Sequence, residues 1–359
     1  MLYLLESEDF CMLLEEEKEV LEEAAPAAEP LEEEVKAEEP KKEKPQLPED
    51  VLEIEKPSKE DKPYDEVIEE ARLDFNKFFK KGRIRSYIIM GVVFVVAAAS
   101  VFCITFQQVP ALKIVGWSLI GAALVGMIVY YIVTRNSMPN ATKKYIAVVN
   151  KELNQRNFSD TKYQDVKTDT KEKLELSEPL SDNIYSGLNN IASRNVITGH
   201  FAGRSFKVCD LGLYTGVGKQ RASAFVGKYV SLPNDLHFEG RYIINVKSAT
   251  PVDLPSDIAD LTVLSEEDGV VIYGKEGAKF ASDLGKDFLK QIKDIEVKES
   301  LLGLNIVIWG GHSSAYASYD DTVMTLPFEK PFNKVANEKY AEDLLAIMNA
   351  FALLVKKEK

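Results

Sequence analysis

Tyr87-Ile88-Ile89-Met90-Gly91-Val92-Val93-Phe94-Val95-Val96-Ala97-Ala98-Ala99-Ser100-Val101-Phe102-Cys103-Ile104-Thr105-Phe106 carries no charged residue. Wound as a helix at about 1.5 Å per residue, this run spans roughly 30 Å, the thickness of a bilayer's hydrocarbon core. A long core helix of a soluble protein keeps a polar edge, whereas residues 88–96 are apolar all round. Ile114 to Thr134 repeats the pattern. The stretch from Gln107 to Lys113 is too short to hold a domain, and Pro110 suits a break between helices. Residues 87–134 therefore read as a two-helix transmembrane hairpin.

Working outward, Lys77, Lys80, Lys81, Arg83 and Arg85 precede the first span, and Arg135, Lys143 and Lys144 follow the second, with only Lys113 between. The positive-inside bias places both termini in the cytoplasm of a multi-pass inner (plasma) membrane protein. Trp117, Tyr130 and Tyr131 fit interfacial aromatic belts at the two ends of the second span. Ala122 and Gly126, four apart, permit close helix contact and homo-oligomerisation. Neither span holds Asp, Glu, Lys, Arg or His, which disfavours a proton relay or ion path. The hairpin reads as an anchor in the lipid bilayer.

Before the hairpin, Val67, Ala71, Phe75, Phe78 and Phe79 form an apolar stripe that runs into the cationic cluster. Residues 65–86 read as an amphipathic basic juxtamembrane helix, seated at the membrane interface or else packed on the soluble domain. Residues 1–65 hold 23 Asp and Glu against 8 Lys, a net of −15 against −13 for the whole chain. So much charge on so little apolar surface predicts a disordered acidic tail over 1–64. The near-neutral remainder offers no broad basic face, which argues against a nucleic-acid partner. Met1 to Leu5 lacks the cationic start and apolar length of a secretory signal. Cys11, Cys103 and Cys209 fall in three different regions, as reduced thiols in a cytosolic setting would.

Residues 145–359 read as a cytoplasmic α+β domain, a mainly antiparallel β-sheet with flanking helices. Helical spacing recurs over Tyr145–Leu153, Asp182–Ser193, Phe280–Ile295 and Asn337–Lys356, and Asn154–Lys173 is a polar stretch. Short runs between turn residues predict strands at 205–209, 222–226, 241–246, 269–273 and 304–309.

Motifs that carry chemistry fail on spacing. Gly216-Val217-Gly218-Lys219 has Leu213 where a phosphate loop needs its first glycine and Gln220 where it needs Ser or Thr, so a hairpin turn is expected. His200, His237, His312 and Cys209 lack metal-ligand spacing. Gly310-Gly311-His312-Ser313-Ser314 lacks the strained elbow of a hydrolase nucleophile and reads as a loop after the strand ending at Trp309. Asp257, Asp260, Glu266-Glu267-Asp268 and Asp320-Asp321 read as solvated turns. No catalytic, cofactor or metal residue is assigned.

The order of segments, with Val196-Ile197-Thr198-Gly199, Phe225-Val226-Gly227-Lys228, Leu304-Asn305-Ile306-Val307-Ile308 and Phe328-Glu329, resembles the bacterial family known as domain of unknown function 3137, over about residues 65–359. The resemblance implies the same architecture, cytoplasmic placement, bacterial origin and a LemA-like membrane protein as neighbour and partner. It implies no established activity. The reading that follows is a membrane-anchored, non-catalytic protein whose cytoplasmic domain binds a protein partner or organises a membrane complex. The alternatives are an enzyme acting on a lipid or envelope intermediate at the inner leaflet, and a lipid-sensing module built on the cationic helix.

Overall fold

Two long helices lead into a broad antiparallel sheet. The structure is a computed structural model that describes residues 51–53, 62–105, 110–169, 172–216, 221–246, 261–295, 301–319, 328 and 330–355. All of them fall in one compact unit, Pro48–Lys359. The predicted acidic tail lies outside the described residues, apart from Val51–Glu53 and Lys62, Pro63 and Tyr64.

Helix α1 runs unbroken over Tyr64–Thr105, so the juxtamembrane stripe and the first apolar run are one element. Its first turn holds Asp65 and Glu66, the sign that complements a helix amino terminus. Helix α2, Pro110–Asn157, begins on a proline, whose missing N–H costs nothing at the first helical position. The sequence reading separated a helix at 145–153 from the run at 114–134, and α2 joins them. Its contacts with α1 include the Ser86–Tyr130 hydrogen bond and the stacking of Phe75 on Tyr145.

Ten strands form one antiparallel sheet in the order β1-β2-β3-β4-β5-β10-β9-β6-β8-β7. They are β1 Val51–Glu53, β2 Tyr163–Asp169, β3 Leu188–Phe201, β4 Arg204–Thr215, β5 Ala222–Leu232, β6 Arg241–Val246, β7 Leu261–Glu267, β8 Val270–Lys275, β9 Leu301–Trp309 and β10 His312–Tyr319. Short helices α3 (Ser177–Asp182), α4 (Phe280–Asp283) and α5 (Lys286–Lys293) and the longer α6 (Lys334–Ala352) accompany it. The Asn333 side chain caps α6 by accepting from the Ala336 N–H. The α+β class is as the sequence indicated.

The register builds both cores. One row crosses the sheet through Ile197, Val208, Val230, Ala315, Ile306, Ile244 and Ile272, and its face lies beneath Phe288 and Ile292 of α5 and Leu344, Met348 and Phe351 of α6. The next row points to the opposite face and holds Cys209, Tyr229, Tyr316, Asn305 and Asn245. There Leu174, Ile184, Leu211, Leu213 and Phe225 complete a second core. The pleat's period of two assigns alternate residues to the two faces.

Five expectations are corrected. The helix predicted at 182–193 does not form: Asn183 enters the left-handed region (φ 48°) and ends α3, Gly187 turns the chain (φ 66°), and β3 begins at Leu188. Ile184 and Leu188 are buried there as sheet-core residues. The helix predicted over 280–295 is divided at Gly285 (φ 83°) into α4 and α5. The polar stretch after α2 contains strand β2. Residues 310–314 are no loop: Gly310 and Gly311 turn a hairpin, and His312 opens β10. Val51–Glu53, assigned to the disordered tail, adds an edge strand to β2, a pairing made by backbone groups that needs no apolar surface.

Candidate membrane interface

Helices α1 and α2 pack antiparallel. At their far end a Cβ added to Gly116 would lie 2.7 Å from Ile104 Cγ1 and 3.0 Å from the Ser100 carbonyl oxygen, so glycine permits the closest approach. In the middle the walls part, leaving an open apolar groove of about 390 Å³ edged by Ile89, Val93, Val96, Ala122, Gly126 and Tyr130. At the near end the Ser86 and Tyr130 hydroxyls are hydrogen-bonded.

The surface of this pair is apolar and bare. The most hydrophobic 18-residue window of α1 has a mean hydropathy of 2.7 and is only 6% buried. Met90, Phe94, Val95, Val101 and Phe102 all point outward. Among the described residues one helix, α1, is long and apolar enough by itself to cross a bilayer, and the described apolar part of α2 is Ile114–Tyr130.

The residues assigned to the interface fall at defined levels. Lys77, Lys80, Lys81, Arg83 and Arg85 are all exposed on α1. Lys77 pairs with Asp74 at 3.5 Å, and Arg83 donates to Tyr87 Oη at 3.1 Å. The antiparallel register sets exposed Lys143 and Lys144 of α2 at the same end of the pair. Trp117, 64% exposed, stands near the opposite end, and Tyr130 lies level with Ser86. The Tyr131 side chain lies outside the described residues.

Below the cations part of the predicted apolar stripe packs against protein, while Phe78 stays 41% exposed. Phe75 stacks on Tyr145 of α2 (4.9 Å between centroids) and meets Phe328 edge-on, while Ile68 and Val149 are fully buried. The segment before α6 is strapped to α1: buried Arg72 donates to Glu69 (2.8 Å) and to the Phe328 carbonyl (3.4 Å), and Asn76 donates to the same carbonyl. The Arg72 hydrogen bond holds the Glu69 carboxyl below its ordinary range, and burial pushes the Tyr145 phenol up to about 12.

The structure gathers one constellation that the sequence scattered. Asp182, fully buried, accepts from Trp309 Nε1 (3.1 Å), Ser314 Oγ (2.6 Å) and Tyr316 Oη (2.8 Å). His312 Nε2 sits 3.3 Å from the same carboxylate without hydrogen-bond alignment. Ser, His and Asp thus meet, but the serine hydroxyl is directed at the aspartate rather than at the imidazole, and Ser314 is itself fully buried. A nucleophile needs its base on its own hydrogen and a path to substrate. This arrangement instead pins α3 to β9 and β10. A second buried pair, Lys228 with Asp210, lies under Tyr340 of α6. Sequence reading missed both.

The remaining candidates stay apart. His200 lies 3.7 Å from Asp165 at the surface, His237 is exposed, and Cys209 is buried with its thiol pushed up by desolvation. Among the described residues no group of three His, Cys, Asp or Glu could hold a metal. Gly216 follows β4 with φ 77°, as a turn into β5 requires; residues 217–220, 257, 260 and 320–321 lie outside the described set. Asp268 and Gly269 form the β7–β8 turn.

No family model matches the chain, and no curated protein matches it. Among solved structures it is similar to the crystal structure of the mycobacterial trehalose monomycolate transport factor A, TtfA, with 9% identity and a TM-score of 0.30, over 48% of this chain and 79% of that one. A TM-score that low does not amount to a shared fold.

Proposed function

We propose that this chain is a bacterial inner-membrane protein that crosses the bilayer twice through residues 87–134, holds both termini in the cytoplasm, and uses its α+β domain over 145–359 to dock a protein partner and organise a membrane complex. The carrying observation is the bare apolar surface of α1, only 6% buried within its most hydrophobic window. Surface of that kind is stable only where hydrocarbon covers it. The cations of α1 and α2 share one end of the pair, as the positive-inside bias requires of a hairpin. The resemblance to domain of unknown function 3137 gives the same placement, with a LemA-like membrane protein as the candidate partner.

The test uses the full chain with its native cysteines replaced by serine and single cysteines added at Gln108 or Ser177. A membrane-impermeant maleimide on intact cells is expected to label position 108 and to reach position 177 only after permeabilisation. The reverse pattern, or recovery of the chain in solution without detergent, overturns the placement. Crosslinking in native membranes followed by affinity purification is expected to recover a specific protein; recovery of none overturns the docking role.

A further inference from the structure

We infer that the groove between α1 and α2 seats an anionic phospholipid, one acyl chain lying between the helices and the phosphate resting on Lys81 and Arg85. This rests on the bilayer placement proposed above. The groove is open along its side, apolar, and about 390 Å³ in volume. A Cβ added at Gly126 would meet nothing within 4 Å, so the helices leave real space there.

Helix geometry ties the groove to the cations. Residues four apart lie on one face of a helix, and stepping back in fours from the groove residues Val93 and Ile89 leads to Arg85 and then Lys81. Both are exposed, and neither has an ion-pair partner among the described residues, whereas Lys77 and Arg83 are engaged with Asp74 and Tyr87. Where the groove ends toward them stands the Ser86–Tyr130 hydroxyl pair, polar atoms that on the proposed placement would meet a lipid's ester linkages. The ligand this sequence of surfaces fits is apolar, then ester-like, then negatively charged.

Charge also decides between occupants. A second copy related by a two-fold axis along the membrane normal would bring its own Lys81 and Arg85 to the same level, like charge against like. A zwitterionic lipid offers those cations no net charge. An anionic headgroup neutralises them, as basic clusters at the cytoplasmic ends of membrane helices do with anionic lipid.

The experiment places the full chain in nanodiscs of equal parts phosphatidylglycerol and phosphatidylcholine, releases it into mild detergent, and counts retained lipids by native mass spectrometry. Wild type is expected to retain phosphatidylglycerol preferentially, and Lys81→Ala with Arg85→Ala to weaken that retention roughly 30-fold. Gly126→Leu fills the groove and is expected to lose the retained lipid, while Gly91→Leu, equally open but on the opposite face of α1, keeps it. Equal retention of the two lipids by wild type overturns the inference, as does equal loss in both leucine variants or dissociation of a dimer by Gly126→Leu. A chain that never enters the nanodisc overturns the bilayer placement as well, which separates the two failures.

Discussion

Replacing Asp182 by alanine removes the acceptor that three donors share on the second face of the sheet. Trp309 Nε1, Ser314 Oγ and Tyr316 Oη reach the carboxylate at 3.1, 2.6 and 2.8 Å, and Asp182 has no solvent exposure. Hydrogen bonds to a charged group each contribute about 1.5–3 kcal/mol, and removing one partner of a buried charged network costs about 3–5 kcal/mol, since the bonds are not additive. A loss of about 4 kcal/mol lowers the melting temperature of a domain this size by roughly 8–16 °C. Asp182→Asn keeps the shape and one acceptor, and the two hydroxyls can rotate to accept from its amide, so about 1–2 kcal/mol is expected. The assay is a thermal melt of the full chain in mild detergent, followed by indole fluorescence. The chain has two tryptophans, so Trp117→Phe leaves only Trp309, beside Asp182, to report. An alanine variant melting within about 2 °C of its parent, or alanine and asparagine variants melting together, would refute the assignment of this carboxylate as the pin between α3 and the sheet.

Other perturbations probe separate parts. Gly227→Ala sets a Cβ 2.3 Å from the Ala317 carbonyl oxygen, backbone that cannot yield, so the variant is expected to lose several kcal/mol, on the order of 3, and to melt far below its parent. Gly116→Leu drives α2 against Ile104 and the Ser100 carbonyl and is expected to widen the distance between spin labels at positions 94 and 125, at a cost of about 1–3 kcal/mol. Burial raises the Asp343 carboxyl above its ordinary range despite Lys339 at 2.8 Å. The folded chain therefore holds that proton more tightly than the unfolded one, so stability falls as pH rises from the ordinary carboxyl value through the raised one. Asp343→Asn should flatten that part of a melting profile between acidic and neutral pH; an unchanged profile would sink the argument.

What the sequence made legible was whatever a periodic apolar pattern could carry. The uncharged run, over its described residues 87–105, became part of α1, Arg241–Val246 became β6 without a shift, and α6 lay close to its expected place. The segment at 182–193 misled because Ile184, Leu188 and Ile191 have helical spacing, while the deciding facts were the positive φ of Asn183 and Gly187. Asp182 stood only as the first residue of that predicted helix, since its donors lie more than 120 positions away at 309, 314 and 316. One signal was present: Ser314 and Tyr316 alternate after a Gly-Gly turn, as residues on one face of a returning strand do. The groove between α1 and α2 could not be read from the sequence, because it depends on how closely two helices approach.

One consequence follows from α1 being continuous. Among the described residues the last hydrogen bond from the sheet domain to this helix is at Asn76, and the last cation before the apolar run is Arg85. Arg85 lies nine positions after Asn76, about 14 Å along the helix, with lysines and arginines projecting between. On the placement proposed above, with lipid beginning at Arg85, continuous α1 holds the domain at a stand-off, as a strut with no joint. A folded partner is too thick for that gap, but a single helix of about 10–12 Å diameter fits it. A protein that enters there would do so as one rod lying parallel to the lipid surface, its acidic side chains toward the strut.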